Sequence, residues 1–267
     1  MKILIPIDFS DNSIKALEYA IGLAGPKKYS ITLVHVVEMV YDFAAQTAVA
    51  IDGMHQDARE SLIKLIHKYD HTNIDFHSKT LEGTPSILLA KLAEEEDADL
   101  IIMGTHGVSG IKKVMLGSTA VEVVKESTKP VLLVPVEGNI TFTSKITLAL
   151  EIANHEEPFI ERVIKMAEFW DLDLEILHLQ SKIDFKEKLS VLGLQAYLKE
   201  KFPKLISEVI TIPTIEIGKG LDAYFEDNED AILTMCHHHK TFWQQITSKS
   251  RSLEMAYHTK VPLLIML

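Results

Sequence analysis

One cysteine, Cys236, is all that this chain of 267 residues contains, and a single thiol cannot close an intrachain disulfide. Nothing therefore points to an oxidising compartment. Basic charge is also in deficit: 27 Lys and Arg face 38 Asp and Glu, for a formal charge of −11. A nucleic-acid partner needs a basic surface, so that class is excluded, whereas a nucleotide, held by a few local donors, is not. No apolar run approaches the roughly 20 residues of a membrane helix, and no membrane partner is expected. The opening Met1–Asp8 is too short and too soon interrupted to read as a signal peptide. The expected compartment is the cytoplasm.

What is present is the balance of a globular chain, 47% hydrophobic and 24% charged, long enough for one large domain or two ordinary ones. Lys2–Asp8 reads as a buried strand ending in an acid. Ser10 then caps a helix with Ile14, Leu17, Ile21 and Ala24 on one face. A strand over Ile31–Val37, a helix over Ala48–Tyr69 and a strand over Asn73–Thr80 follow. Pro85 opens a helix that runs to Glu96. Asp99–Met103, Gly117–Ser127 and Val131–Val136 complete a strand, a helix and a strand. Pro6 fits a central strand only near its end, where one ladder donor can be missing. Strands alternating with long helices predict a parallel sheet covered on both faces, in a doubly wound, flavodoxin-like (Rossmann-like) order with ligands at the carboxyl ends of the strands.

The second half repeats the plan. Lys145–Glu151 matches Lys2–Asp8, and Leu177-His178-Leu179 matches Val34-His35-Val36 at an offset of 143 residues. Ala231–Met235 and the strand after Pro262 match Asp99–Met103 and the strand after Pro130 at an offset of 132. The difference of 11 residues is a deletion, placed most simply after the second strand. Two copies of one five-stranded α/β unit are expected, residues 1–137 and 144–267, joined by a short stretch with no low-complexity tract.

The segment that carries chemistry is Gly104-Thr105-His106-Gly107, nine residues, then Gly117-Ser118-Thr119. Gly104 and Gly107 permit positive φ and a close approach to bare backbone after a strand. Gly117, Ser118 and Thr119 open a helix whose free N–H groups and dipole attract anions. The pattern is neither a P-loop nor the dinucleotide fingerprint. Spacing alone fits two turn glycines and a helix cap as well as it fits a phosphate site.

G-x2-G-x9-G-S/T between a fourth strand and a fourth helix is similar to the ATP-binding signature of the universal stress protein family. Ile5-Pro6-Ile7-Asp8-Phe9-Ser10, Leu33-Val34-His35-Val36 and Thr128–Pro135 resemble that family in the same order. The likeness is continuous across 1–137 and weaker across 144–267. It implies an ATP-binding regulatory, stress-response module, with Mg2+, at most a slow ATPase or a protein that phosphorylates itself on Ser118 or Thr119. Pro6, Ile7 and Asp8 would sit against adenine and ribose, and Val36 would pack on the base. Met103 and Gly104 would line base and ribose, His106 and Gly107 would flank the phosphates, and Gly117, Ser118 and Thr119 would hold them. Lys112 and Lys113 are not fixed by the family pattern and read as solvated surface. Family habit also implies that the two final strands associate, giving an intramolecular pseudo-dimer.

In the second half Cys236 and His239 stand for Gly104 and Gly107. Lys249, Ser250 and Arg251 stand for Gly117, Ser118 and Thr119, and Glu151 for Asp8. With every loop glycine gone, this half is not expected to bind ATP in the same manner. The run Cys236-His237-His238-His239 has thiolate and imidazole suited to zinc. Consecutive strand-end residues point in alternate directions, however, so Glu151 or His258 would have to join them; a polar loop in a dead site is expected, with an interaction protein holding zinc or a different ligand in this half as the alternative.

Overall fold

The protein is described here from a computed structural model covering residues 1–38, 47–105, 117–137, 142–150, 152, 157–180, 184–203, 209–236 and 260–267. The chain divides into two compact units, the first ending at Val136 and the second continuing from Glu137. Among the described residues no helix is long and apolar enough to cross a membrane.

The first unit runs β1 (Lys2–Pro6), α1 (Asp11–Ala24), β2 (Tyr29–Val37), α2 (Thr47–His67), β3 (Ile74–Glu82), α3 (Pro85–Glu95), β4 (Leu100–Gly104), α4 (Ser118–Glu126) and β5 (Val131–Val134). All five strands are parallel, in the order β3-β2-β1-β4-β5. Strand order therefore reverses beside β1: the chain first winds toward β3, then crosses back to β4 and β5. Right-handed crossovers place α1 and α2 on one face and α3 and α4 on the other. In agreement, α2 lies over β2 and β3, whereas α3 packs on α4. The apolar strands form the core; Ile3, Leu4, Ile5, Ile31, Leu33, Leu100, Ile101 and Ile102 are all buried. Pro6 occupies the last position of β1, opposite Val34, so its missing donor interrupts no further ladder.

Helix α1 begins as its sequence predicts, with the Ser10 side chain accepting from the Ser13 N–H. Its buried face differs from the expected one. Asn12, Ser13, Ala16, Leu17, Ala20 and Ala24 turn inward, while Ile14 and Ile21 are only half-buried. The helix comes so close to β4 that its small residues, rather than its isoleucines, fit against the sheet. Helix α3 starts with Pro85 in its first turn and buries Leu89, Leu92 and Ala93.

The second unit runs β6 (Lys145–Leu150), α5 (Glu157–Trp170), β7 (Asp173–Gln180), α6 (Phe185–Lys201), β8 (Val209–Pro213), α7 (Ile217–Glu226), β9 (Ala231–Cys236) and β10 (Leu263–Met266). Its parallel order, β8-β7-β6-β9-β10, repeats that of the first unit. Register carries the repeat to single residues. Gly104 faces Val134 in the first unit, and Cys236 faces Met266 in the second. The segment between second and third strands spans residues 38–73 in one unit and 181–208 in the other, which is where most of the length difference falls.

At the amino edge of this second sheet lies a polar network. Tyr224 donates to Glu175, and Lys145 Nζ reaches Glu175 at 3.1 Å. Burial, reinforced by the Glu175 carboxylate, raises the Tyr224 phenol well above its ordinary pKa. The network joins β6, β7 and α7.

Candidate functional site

Beside the strand-order reversal the carboxyl ends of β1, β2 and β4 open onto a cavity of about 410 Å³. In doubly wound sheets that crevice is where ligands bind, and the volume lies in the range of small-molecule sites. β1 and the turn after it contribute Pro6, Ile7 and Asp8; β2 and its exit contribute Val34, His35, Val36 and Glu38. Met103, Gly104 and Thr105 come from β4 and Gly117, Ser118, Thr119 and Ala120 from α4, with Ser13, Pro85 and Leu89 at the sides.

Nine of the sequence-predicted site residues thus line one cavity: Pro6, Ile7, Asp8, Val36, Met103, Gly104, Gly117, Ser118 and Thr119. His106 and Gly107, with Lys112 and Lys113 of the same loop, lie outside the described residues. The residues that sequence reasoning missed are Ser13, Val34, His35, Glu38, Pro85, Leu89, Thr105 and Ala120. The recurrence of His35 as His178 and the place of Thr105 inside the glycine segment were available signals among them.

Local chemistry fixes each wall. Asp8 Oδ1 accepts from the Ser10 N–H and hydroxyl, so the N-cap of α1 orients the carboxylate. Between them Phe9 takes a left-handed φ of 62°, turning the chain sharply from strand to helix. Its ring stands 5.0 Å from that of His35. His35 Nδ1 donates to the Ile7 carbonyl at 2.7 Å, and the Ile7 N–H donates to Val34. Both backbone groups of Ile7 are thereby used, and the end of β1 is tied to β2.

Glycine at 104 has a different cause from the one its sequence pattern suggests. Its φ is not positive. A Cβ there would lie 2.4 Å from Asn12 Nδ2 and 3.0 Å from the Asn12 carbonyl, so the first turn of α1 demands glycine before any ligand does. Gly117 also departs from its expected role. Its φ is −57°, and its N–H donates to the Thr105 carbonyl at 2.6 Å, closing the base of the intervening loop. The donors at the start of α4 are therefore the N–H groups of Ser118, Thr119 and Ala120. The first helical bond is Val121 N–H to Gly117 O, so no carbonyl of the helix takes these three N–H groups. A helix amino terminus attracts an anion. Chemically the cavity combines those donors with apolar walls from Val36, Met103 and Leu89 and with two carboxylates, Asp8 and Glu38. It can hold a molecule that has a flat apolar part, hydroxyls and an anionic tail.

In the second unit Cys236 is buried at the end of β9 in the register of Gly104. Glu151, His237, His238, His239, Lys249, Ser250, Arg251 and His258 lie outside the described residues. Among the described residues no three His, Cys, Asp or Glu side chains converge on one point.

The sequence profile of the universal stress protein family matches residues 1–135. A universal stress protein of Methanocaldococcus jannaschii is 33% identical over 138 residues, which cover 50% of this chain and 81% of that protein. One of Bacillus subtilis is 31% identical over 144 residues, covering 50% of this chain and 97% of its own. The crystal structure of a universal stress protein from Archaeoglobus fulgidus has a TM-score of 0.77 at 20% identity, covering 99% of this chain and 95% of the other. At that identity the likeness is one of fold.

Proposed function

The chain belongs to the universal stress protein family, and from that premise we propose that its first unit binds ATP, with Mg2+, as a nucleotide-dependent regulatory module of a stress response. The observation that carries this reading is a single cavity lined by both the Asp8 turn and the start of α4. The adenine lies between Val36 and Met103, and Asp8 accepts from base or ribose. The phosphates face the N–H groups of Ser118, Thr119 and Ala120, where their charge meets the positive end of the helix. His106 and Gly107 flank the phosphates from the loop. Gly117 serves by closing the loop and leaving the α4 donors unobstructed.

In this proposal the nucleotide-binding domain spans residues 1–137 and the domain over 144–267 does not bind ATP. The two associate through β5 and β10 as an internal pseudo-dimer, since pairing would satisfy two edge strands. The site of action is the cytoplasm; recovery of the chain in a membrane fraction would overturn that part. Hydrogen exchange on the full chain tests the association: rapid exchange of either final strand would end it.

Calorimetric titration of the full chain with ATP and Mg2+, beside a Gly117→Val variant, tests the binding reading. One site in the natural protein and none in the variant is the expected result. Two sites would restore ATP binding to the second unit, and no heat in the natural protein would end the nucleotide reading.

A further inference from the structure

The second unit carries buried polar side-chain atoms, on His178 and Gln180, at the end of its second strand. His178 stands in the place of His35 and makes the same bond, Nδ1 to the Leu150 carbonyl at 2.9 Å. The turn is kept too, since Ile152 has a φ of 58° where Phe9 has 62°. Beyond this shared frame the units part. Two residues on, along the same face of the strand, Val37 of the first unit is replaced by Gln180. The side-chain amide of Gln180 is buried, and neither its nitrogen nor its oxygen has a partner. The first turn of α6 then brings Glu187 over the ring.

The bond of His178 fixes which nitrogen is free. A carbonyl can only accept, so Nδ1 carries a proton and Nε2 is the nitrogen left to meet a metal. That nitrogen is buried without a hydrogen-bond partner, on a side chain only 4% exposed. It faces Glu187 Oε2 at 3.6 Å. At that separation the pair is too long for a good hydrogen bond. The spacing does suit two ligands of one ion: a nitrogen and an oxygen each bound to tetrahedral zinc stand about 3.4 Å apart. A ring whose other nitrogen is anchored on a backbone carbonyl is also the usual setting of a metal-binding histidine.

We infer that the second unit holds a divalent cation of the zinc class between His178 Nε2 and Glu187, with water completing the shell. Imidazole with oxygen donors suits Zn2+. The cation supplies what the buried His178 Nε2 lacks. Occupancy would tie the first turn of α6 to β7.

The test is titration of the full chain, freed of metal with a chelator, by Zn2+ alone and by Co2+ as a spectroscopic probe. His178→Asn keeps a donor for the Leu150 carbonyl while removing Nε2. Glu187→Gln alters a partly exposed side chain, so it decides the matter if the first variant does not fold. One Zn2+ per chain is expected, weakened about tenfold or more by either substitution. Co2+ should give tetrahedral absorption bands without a thiolate charge-transfer band. No binding, binding indifferent to Glu187→Gln, or a thiolate band placing the ion at Cys236 would each overturn the inference.

Discussion

The two units share strand order, register, the left-handed turn after the first strand and the histidine that ties that strand to the next. They differ at the carboxyl edge. The first keeps glycine at 104 and a helix that opens on Gly117; the second has buried Cys236 in that register and polar side chains on β7. The comparison separates what the fold requires from what the site requires. His35 and His178 belong to the frame, because the bond to the first strand persists where the glycines at 104, 107 and 117 do not. The donors of α4 belong to the site. Gly104 serves both, because a side chain there would strike α1.

The sharpest way to break the comparison is to give the first unit the second unit's residue. Gly104→Cys puts a Cβ into Asn12 and should cost about 1–3 kcal/mol by overpacking, with ATP binding lost as well. Denaturant unfolding and calorimetry on the same sample check both. Adding Asn12→Ala should recover part of the stability, since it removes the two nearest atoms but not the Asn12 carbonyl. An unchanged midpoint for Gly104→Cys would mean that α1 yields, and that the glycine serves only the ligand.

A smaller effect tests the shared frame. His35→Ala leaves the Ile7 carbonyl without its partner and should destabilise the chain by about 1–2 kcal/mol, with His35→Asn closer to the natural protein. Were alanine and asparagine equal, the hydrogen bond would not be what His35 contributes.

The smallest concerns a device peculiar to the second unit. Tyr224→Phe removes the bond to Glu175, for about 1 kcal/mol near neutral pH. The folded phenol has its pKa raised, so its contribution is intact below the unfolded value and is lost as pH rises past it. The gap between natural protein and variant should therefore narrow above about pH 10. A gap constant to higher pH would exclude Tyr224 ionisation as a term in alkaline stability.

The sequence by itself determined the element order, the parallel α/β class and the repeat. Apolar runs, helix periodicity and Ser10 or Pro85 at helix starts are local properties that survive in any tertiary setting. It also placed Asp8, Met103 and Ser118 at one sheet edge, because parallel strands direct all their carboxyl ends the same way. Only the tertiary structure decided the rest. Which stripe of α1 turned inward depended on how closely α1 approaches β4. The reason for glycine at 104 depended on Asn12, 92 positions away in the chain. That Gly117 spends its N–H on Thr105, leaving Ala120 among the donors, followed from how the loop closes. The meeting of His178 with Glu187 came from a helix laid across a strand. These are contacts between side chains and backbone brought together by packing, and no periodicity or motif spacing encodes them.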